Sequence, residues 1–315
     1  TGTVDLDPAT AILIDGSGNP VSSLTIPHEG TYKIETTQDG NVTVSFTPEV
    51  AFTGKATGVT VQMKDKNGTP ATAKYLPTVI PVAPSGNDVV SSDIQGQPQT
   101  GTPTFKGGND EVGIDENVPP MIVDKDGSLV ESLVAAGEGA YRIDTNTGTV
   151  TFSPEPSFTG KAAGITVQRT DIVGNKVTAT YTPTVIPVTP VGTPATSTGK
   201  QGLPQTGTPT FAPGTVNVGG VDKSVPLDPS TLTLVDGDGN ETDKVTVDGE
   251  GSYVLNSDGS ITFTPNPSFT GTATGVKVQM KDKNGTPATA MYTPTVTPVT
   301  PKGTDVISTG KKGQP

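Results

Sequence analysis

Apolar and polar residues alternate with a period of two along much of the chain. Residues 276–280 and 288–292 both show this pattern, which is typical of a β-strand with one buried and one solvated face. Asn284-Gly285 lies between them, and an Asn-Gly pair predicts a hairpin with a type I′ turn. Asn67-Gly68 repeats this signal, and residues 252–264 predict a second hairpin. Because Pro and Gly interrupt every candidate helical stripe, the chain is predicted to be all-β.

The pattern recurs three times. Tyr75, Tyr181 and Tyr292 each begin a Tyr-x-Pro-Thr-Val run, so one copy takes up about 100 residues, the size of a β-sandwich domain. We therefore predict tandem Ig-like β-sandwiches of about seven strands each, arranged as an elongated rod. The predicted boundaries are repeat 1 at 1–84, repeat 2 at 85–190, repeat 3 at 191–301, and 302–315 as a linker toward a next repeat.

The ends of the copies show two further patterns. A Gln-Thr-Gly-Thr-Pro segment begins at Gln99 and at Gln205 but not before the first copy. Either repeat 1 is shortened at its N-terminal end, which we favour, or the segment pairs elsewhere. Prolines recur within 183–190, which predicts an edge strand that passes into a stiff linker. The Gly/Ser/Thr-rich stretch 192–202 predicts a flexible connector.

Composition narrows the possible functions. The 315 residues contain no Cys, no Trp and one His, which excludes disulfides, Cys/His zinc sites and Cys nucleophiles. The formal charge of −12 makes nucleic acid an unlikely partner, and no stretch approaches 18 apolar residues, so we predict no membrane span. With only 8 Phe and 6 Tyr, the aromatic residues, Phe158 and Tyr181 among them, are predicted to form the cores.

Three segments together resemble a known family: residues 158–160 (Phe-Thr-Gly), residues 181–185 (Tyr-Thr-Pro-Thr-Val) and residues 199–211. They are similar to the CshA-type fibril repeats of streptococcal cell-wall-anchored fibrillar adhesins. The resemblance implies a secreted Gram-positive protein at the cell surface, whose repeats form a stalk. It also implies that a host matrix protein such as fibronectin is bound through a region outside this sequence.

Several motifs suggest sites, and each also has a purely structural interpretation. Leu203 to Gly207 spells the sortase signal Leu-Pro-Gln-Thr-Gly, but a further domain follows it, so we interpret it as a repeat junction. Asp236 to Asn240 resembles the start of a calcium loop, but position 12 is Val247 rather than Glu, which favours a plain acidic turn. Weak calcium binding at domain junctions stays open.

Other candidates are weaker. Intramolecular Lys–Asn bonds need the same Lys in every copy, and Lys161 is replaced by Thr272 in repeat 3. His28 is predicted to lie in a loop. Glu138 and Glu250 recur in Gly-Glu-Gly turns, which we expect to be exposed rather than paired for acid–base catalysis.

These observations predict a non-enzymatic stalk with no catalytic, cofactor-binding or metal-binding residues. Its partners are the neighbouring repeats of the same chain, and we expect a monomer. The alternative is that each repeat is itself a binding module for a host matrix protein or glycan, or that it mediates homophilic contacts between fibrils.

Overall fold

The computed structural model describes residues 3–313, and within that range every regular element is a β-strand. This confirms the all-β prediction. The chain exposes 18711 Å² of accessible surface. A single compact protein of this mass would expose about 12,000 Å², and three separate domains of one third the mass about 16,000 Å². The chain is therefore a string of small units, each with its own core.

Repeat 2 shows the complete arrangement. One sheet has the order β11-β21-β20-β14-β15, with β19 also on β21, and a second sheet has the order β12-β18-β17-β16. Strands β10 and β13 form a separate pair. The strands are β10 (Ser85–Asn87), β11 (Val89–Ile94), β12 (Gln99–Gly101), β13 (Thr104–Lys106), β14 (Met121–Val123), β15 (Leu129–Val130), β16 (Ser132–Ala135), β17 (Gly139–Ile143), β18 (Val150–Pro154), β19 (Gly160–Lys161), β20 (Ile165–Thr170) and β21 (Lys176–Ile186).

Repeat 3 has the same two sheets, in the orders β23-β35-β34-β28-β29, with β33 on β35, and β24-β32-β31-β30. It adds the hairpin β26-β27 to the pair β22-β25. Its strands are β22 (Val191–Thr193), β23 (Ala195–Lys200), β24 (Gln205–Gly207), β25 (Thr210–Ala212), β26 (Thr215–Val218), β27 (Val221–Ser224), β28 (Leu227–Val235), β29 (Glu241–Thr242), β30 (Lys244–Val247), β31 (Gly251–Leu255), β32 (Ile261–Pro265), β33 (Gly271–Thr272), β34 (Val276–Asp282) and β35 (Pro287–Thr297).

Repeat 1 is smaller. It contains the sheets β2-β1-β7-β8 and β3-β4-β5 and the pair β6-β9. Among the described residues, it has no counterpart of β11 or β12. Its strands are β1 (Leu6–Ile14), β2 (Pro20–Val21), β3 (Ser23–Ile26), β4 (Gly30–Thr36), β5 (Val42–Pro48), β6 (Gly54–Lys55), β7 (Val59–Asp65), β8 (Pro70–Tyr75) and β9 (Thr78–Val79).

The linker predictions were wrong. Residues 183–186 at the Pro-rich end of repeat 2 are not an edge strand, because they lie between β19 on one side and β11 on the other. Pro183 is tolerated there because its carbonyl accepts a hydrogen bond from Ala162, in the gap between β19 and β20. The missing N–H faces that gap, so no bond of the β11 ladder is lost. The supposed flexible stretch 192–202 forms most of β22 and all of β23, and β23 pairs in parallel with β35.

The hairpin positions are confirmed, but the turn type is not. The strand pairs β34-β35 and β31-β32 join where the alternation predicted them. In the first, Gly285 has φ +85° and donates its N–H to the Asp282 carbonyl, whereas Asn284 does not have a positive φ. The loop is therefore a type I turn followed by a left-handed Gly, because a type I′ turn needs two positive φ angles.

Candidate functional site: the closing strand and the joint between repeats

Each repeat is built around the same four aromatic rings. In repeat 2, Tyr141 packs on Phe152 at 4.6 Å between ring centroids and meets Tyr181 edge to face at 6.4 Å. Phe158 meets Phe152 edge to face at 6.3 Å. Tyr181 is fully buried and Phe158 packs against the same cluster, which confirms that both belong to the core. The equivalent rings are Tyr32, Phe46, Tyr75 and Phe52 in repeat 1 and Tyr253, Phe263, Tyr292 and Phe269 in repeat 3.

A polar network fixes the strand that closes the core, which we call the closing strand (β11 in repeat 2 and β23 in repeat 3). Ser91 Oγ donates to Gln99 Oε1 at 2.7 Å, and the Tyr181 hydroxyl lies 2.7 Å from the same Ser91 Oγ. Gln99 Nε2 donates to the Thr184 carbonyl at 2.9 Å. Gly101 lets β12 lie against the Tyr181 ring, because a Cβ at this position would overlap it. The network thus ties β11, β12 and β21 together.

Repeat 3 repeats this network closely. Ser197 Oγ donates to Gln205 Oε1 at 2.6 Å and lies 2.7 Å from the Tyr292 hydroxyl. Gln205 Nε2 donates to the Thr295 carbonyl at 3.1 Å. Sequence reasoning missed these residues, although the shared eight-residue spacing of Ser91 to Gln99 and of Ser197 to Gln205 could have revealed them.

Burial sets the ionisation of the core tyrosines. It raises the pKa of Tyr181 and Tyr292, an effect that the hydrogen bond to each serine only partly offsets. It also raises the pKa of Tyr32 to about 12, together with the hydrogen bond to Glu29. Burial and the nearby Glu138 and Glu250 carboxylates raise the pKa of Tyr141 and Tyr253 respectively. All five hydroxyls stay protonated at neutral pH, and those of Tyr32, Tyr181 and Tyr292 serve as structural hydrogen-bonding groups.

The recurring glutamates point back into the fold. Glu29 is only 6 % exposed, and it accepts the Tyr32 hydroxyl at 2.7 Å and the Thr57 hydroxyl at 2.7 Å. Burial alone would raise the pKa of Glu29, but the hydrogen bonds from Thr57 and Tyr32 outweigh it and lower the pKa. Glu138 accepts the Ala163 N–H, and Glu250 accepts the Thr274 N–H and hydroxyl. Glu138 and Glu250 were expected in exposed turns, but both side chains are half-buried because they accept hydrogen bonds from a second turn.

The candidate calcium loop is closed by its own backbone. Asp236 Oδ1 accepts the N–H groups of Asp238 at 2.9 Å and Asn240 at 2.8 Å. The Asn240 N–H contributes most to the lowered pKa of Asp236. Asp15 and Asp124 make the same turn in the other repeats. Between residues 3 and 313, no group of three or more acidic or His side chains is arranged to hold a metal ion.

The sortase-like segment lies within the fold of repeat 3. Leu203 is 56 % exposed, but Gln205 is buried and Gln205–Gly207 is strand β24, paired with β32. Its backbone is therefore unavailable as an extended peptide in the folded repeat.

His28 lies in an exposed turn with a left-handed backbone, at φ +63°. Its N–H donates to Glu49 Oε1 at 3.0 Å, and Gly137 makes the same bond to Glu155 in repeat 2.

Repeats 2 and 3 are joined by a packed contact, which we call the joint. Ile94, Val188 and Val225 form a small buried cluster, with the β26-β27 hairpin of repeat 3 packed beside it. Next to this cluster, Lys223 Nζ lies 2.7 Å from Asp93 Oδ2. The closing strand of repeat 2 therefore ends in the joint.

Gln95 adds polar bonds to the joint. Across the joint, Asn284 Nδ2 donates to the Gln95 carbonyl at 2.9 Å, and Gln95 Nε2 donates to the Thr286 hydroxyl at 3.3 Å. Within repeat 2, Gln95 Nε2 also donates to the Pro156 carbonyl at 2.8 Å. The hairpin loop of repeat 3 is thereby fastened to repeat 2.

A model of the surface adhesin CshA repetitive domain matches the chain at residues 1–79, 81–185 and 187–296. The chain belongs to this family. Each of its three matches ends five residues before the repeat end predicted from the sequence, and the second and third begin four residues before the predicted starts. The family is one of surface-adhesin repeats. No curated protein matches this CshA-repeat chain. No helix between residues 3 and 313 is long and apolar enough to cross a membrane.

The solved structures that resemble the CshA-repeat chain do so weakly. Mouse cadherin-23 EC22-24 is 15 % identical with a TM-score of 0.33, over 92 % of this chain and 86 % of that one. The titin I-band fragment I67-I69 is 13 % identical with a TM-score of 0.29, over 95 % and 90 %. Drosophila N-cadherin EC1-3 is 13 % identical with a TM-score of 0.26, over 88 % and 91 %. At these scores the likeness adds nothing to the fold that the sheets themselves define.

Proposed function

We propose that this chain is a tension-bearing stalk segment of a fibrillar adhesin, anchored in a Gram-positive cell wall, that holds a distal adhesive region away from the cell. The observation that carries the proposal is the parallel pairing of the first and last long strands of a repeat. Val89 lies opposite Tyr181 and Ile94 opposite Ile186, and Ala195 to Lys200 pairs with Tyr292 to Thr297 in the same way.

This pairing resists pulling at the two ends of a repeat. The chain enters repeat 2 just before Val89 and leaves it just after Ile186, so tension pulls the two parallel strands past each other. Six residue pairs then carry the force together, rather than opening one after another as in a hairpin. Because each backbone hydrogen bond is lost only with its neighbours, the barrier to opening is that of the whole ladder.

The joint passes the tension on to the next repeat. Asp93 and Gln95, at the end of the closing strand of repeat 2, contact Lys223 and Asn284 of repeat 3. The formal charge of −12 also discourages neighbouring fibrils from sticking side by side.

Single-molecule force spectroscopy on the whole chain tests the proposal. We expect two high-force unfolding events, from repeats 2 and 3, and one event at clearly lower force from repeat 1, which serves as the internal control. Ser197→Pro, which places a proline in the closing strand of repeat 3, should convert one high-force event into a low-force event. The exposed neighbour substitution Val191→Pro, outside that strand, is the matched control. Low-force unfolding of all three repeats would refute the proposal.

A further inference from the structure

The end of the closing strand of repeat 2 is buried by repeat 3. The parallel ladder of β11 and β21 ends at the pair Ile94–Ile186, and the N–H of the next residue, Gln95, donates to the Ile186 carbonyl at 2.9 Å. The Ile94 side chain is buried, but it belongs to the cluster with Val188 and Val225 and not to the aromatic core of repeat 2. The burial of this strand end therefore depends on the neighbouring repeat.

Polar contacts with repeat 3 surround the same strand end. Lys223 Nζ lies 2.8 Å from Asp93 Oδ1 and 2.7 Å from Asp93 Oδ2. The Gln95 carbonyl accepts the Asn284 side chain, and the Gln95 side chain donates to Thr286. Three consecutive residues, 93 to 95, thus each have a partner in repeat 3.

The hairpin β26-β27 supplies the apolar part of this contact. Val216 and Val218 pack against the cluster of the joint. Val216 lies opposite Lys223 in the hairpin, so both side chains project from the same face, the one that meets repeat 2. Val221, near the tip of the hairpin, is 59 % exposed and lies outside the cluster.

The hairpin is an addition to the basic repeat. In repeat 2, residues 107–111 lead from β13 to the buried Val112 and form no strand. In repeat 3, residues 213–224 lead from β25 to Val225 and form the hairpin. The two valines are equivalent, because the residue after each accepts an N–H from the turn between the last two long strands of its repeat. Repeat 3 therefore carries an extra element at the end that meets repeat 2.

We propose that this hairpin and Asn284 form a clamp, through which repeat 3 keeps the end of the closing strand of repeat 2 on its sheet. With the clamp in place, residues 93–95 stay on β21. With the clamp released, this end frays, while the Ser91 network still holds the rest of the strand. The coupling is reciprocal, because the strand end stabilises the hairpin by the same free energy.

The clamp bears on the strand on which the proposed stalk function rests. Tension draws β11 along β21, away from the joint. Because residues 93–95 are also bound to repeat 3, the strand has to leave both partners before repeat 2 can open. The resistance of repeat 2 is therefore set in part by its neighbour.

Hydrogen exchange followed by mass spectrometry on the whole chain tests the clamp from the side of repeat 3. Val216→Ser should raise the exchange rate of residues 93–95 in repeat 2 by about tenfold, because the apolar contact with the strand end is weakened. Exchange in β17 and β18, which reports unfolding of the whole repeat, should not change. The matched control Val221→Ser, on the exposed tip of the same hairpin, should leave residues 93–95 within about twofold.

The reciprocal substitution tests the clamp from the side of repeat 2. Ile94→Ser should raise the exchange rate of the hairpin, residues 215–224, by a similar factor, whereas Val90→Ser, at an exposed position of the same strand, should not. Each substitution is thus read out in the repeat to which it does not belong, so local damage at the substituted residue does not imitate the result.

Three results would overturn the proposal. They are unchanged exchange in either readout, equal effects of a variant and its control, and faster exchange throughout β17 and β18 in Val216→Ser, which would show general destabilisation of repeat 2. No force is applied in these measurements, so their failure would leave the force-spectroscopy test of the stalk function as it stands.

Discussion

The Ser91 network offers the sharpest test of what closes a repeat. Ser91→Ala removes the donor to Gln99 Oε1 and the acceptor of the Tyr181 hydroxyl, and both partners are buried. A buried polar group left without its partner destabilises a protein by about 1–3 kcal/mol. Two such groups, relieved in part by small shifts, should lower the free energy of unfolding of repeat 2 by about 2 kcal/mol. For a domain of this size that corresponds to a fall in melting temperature of about 8–16 °C.

Calorimetry on the whole chain measures this change, because only the transition of repeat 2 should move. Ser92→Ala is the matched control, since Ser92 is the exposed neighbour on the same strand, and it should shift the transition by less than about 0.5 kcal/mol. Ser197→Ala should lower the free energy of unfolding of repeat 3 by the same amount, because Gln205 and Tyr292 lose the serine hydroxyl as a hydrogen-bond partner. If repeat 2 of Ser91→Ala melts at the same temperature as repeat 2 of the unaltered chain, the network does not hold the closing strand and the reasoning fails.

Four further predictions follow from the described contacts. The pKa of Tyr32 is raised to about 12, and the pKa values of Tyr141, Tyr181, Tyr253 and Tyr292 are also raised, so these hydroxyls keep their protons in the folded state. Stability should therefore not change between pH 7 and pH 9 on account of these tyrosines, and it should fall as the pH rises above about 10. The tyrosinate absorbance at 295 nm should rise together with the loss of structure rather than before it. His28→Gly should stabilise repeat 1 by up to about 1 kcal/mol in urea unfolding, because Gly is unstrained at φ +63°, whereas His28→Val should destabilise it. Sortase should not cleave the folded chain at Leu203 to Gly207, but it should cleave a free peptide of that sequence when an amino nucleophile is supplied. Equal cleavage rates would contradict the buried position of Gln205. A double-mutant cycle of Asp93→Ala and Lys223→Ala should give a coupling free energy of about 1 kcal/mol that shrinks with added salt, as expected for a partly buried ion pair. The absence of any coupling would contradict the joint as described.

Local patterns made the hairpins predictable, and non-local pairing hid the closing strand. Alternation along 276–280 and 288–292 identifies two strands and the turn between them, because their partner lies next along the chain. The Gly/Ser/Thr-rich residues 195–200 carry no apolar stripe and are typical of a linker, yet they form β23 because β35 supplies a partner almost a hundred residues later. Composition describes what a segment does alone, and it contains no information about a distant ladder.

The candidate site was predictable to the same degree. The recurring Phe and Tyr identified the core because few other residues could fill it. Gly neighbours gave the wrong picture of Glu138 and Glu250, because a carboxylate can turn back from a tight loop to accept N–H groups of the next one. The Ser–Gln–Tyr network escaped notice because its three members come from strands that are separate in the chain.

The parallel pairing also dictates when a repeat can finish folding. Ser91 and Tyr181 are 90 residues apart, so the last strand must be available before the first strand has anything to bind. Non-local parallel pairing of this kind is slow to form. A chain delivered from its N-terminus would therefore leave repeats 2 and 3 open through almost their whole length, and each would become rigid only when its final dozen residues arrive.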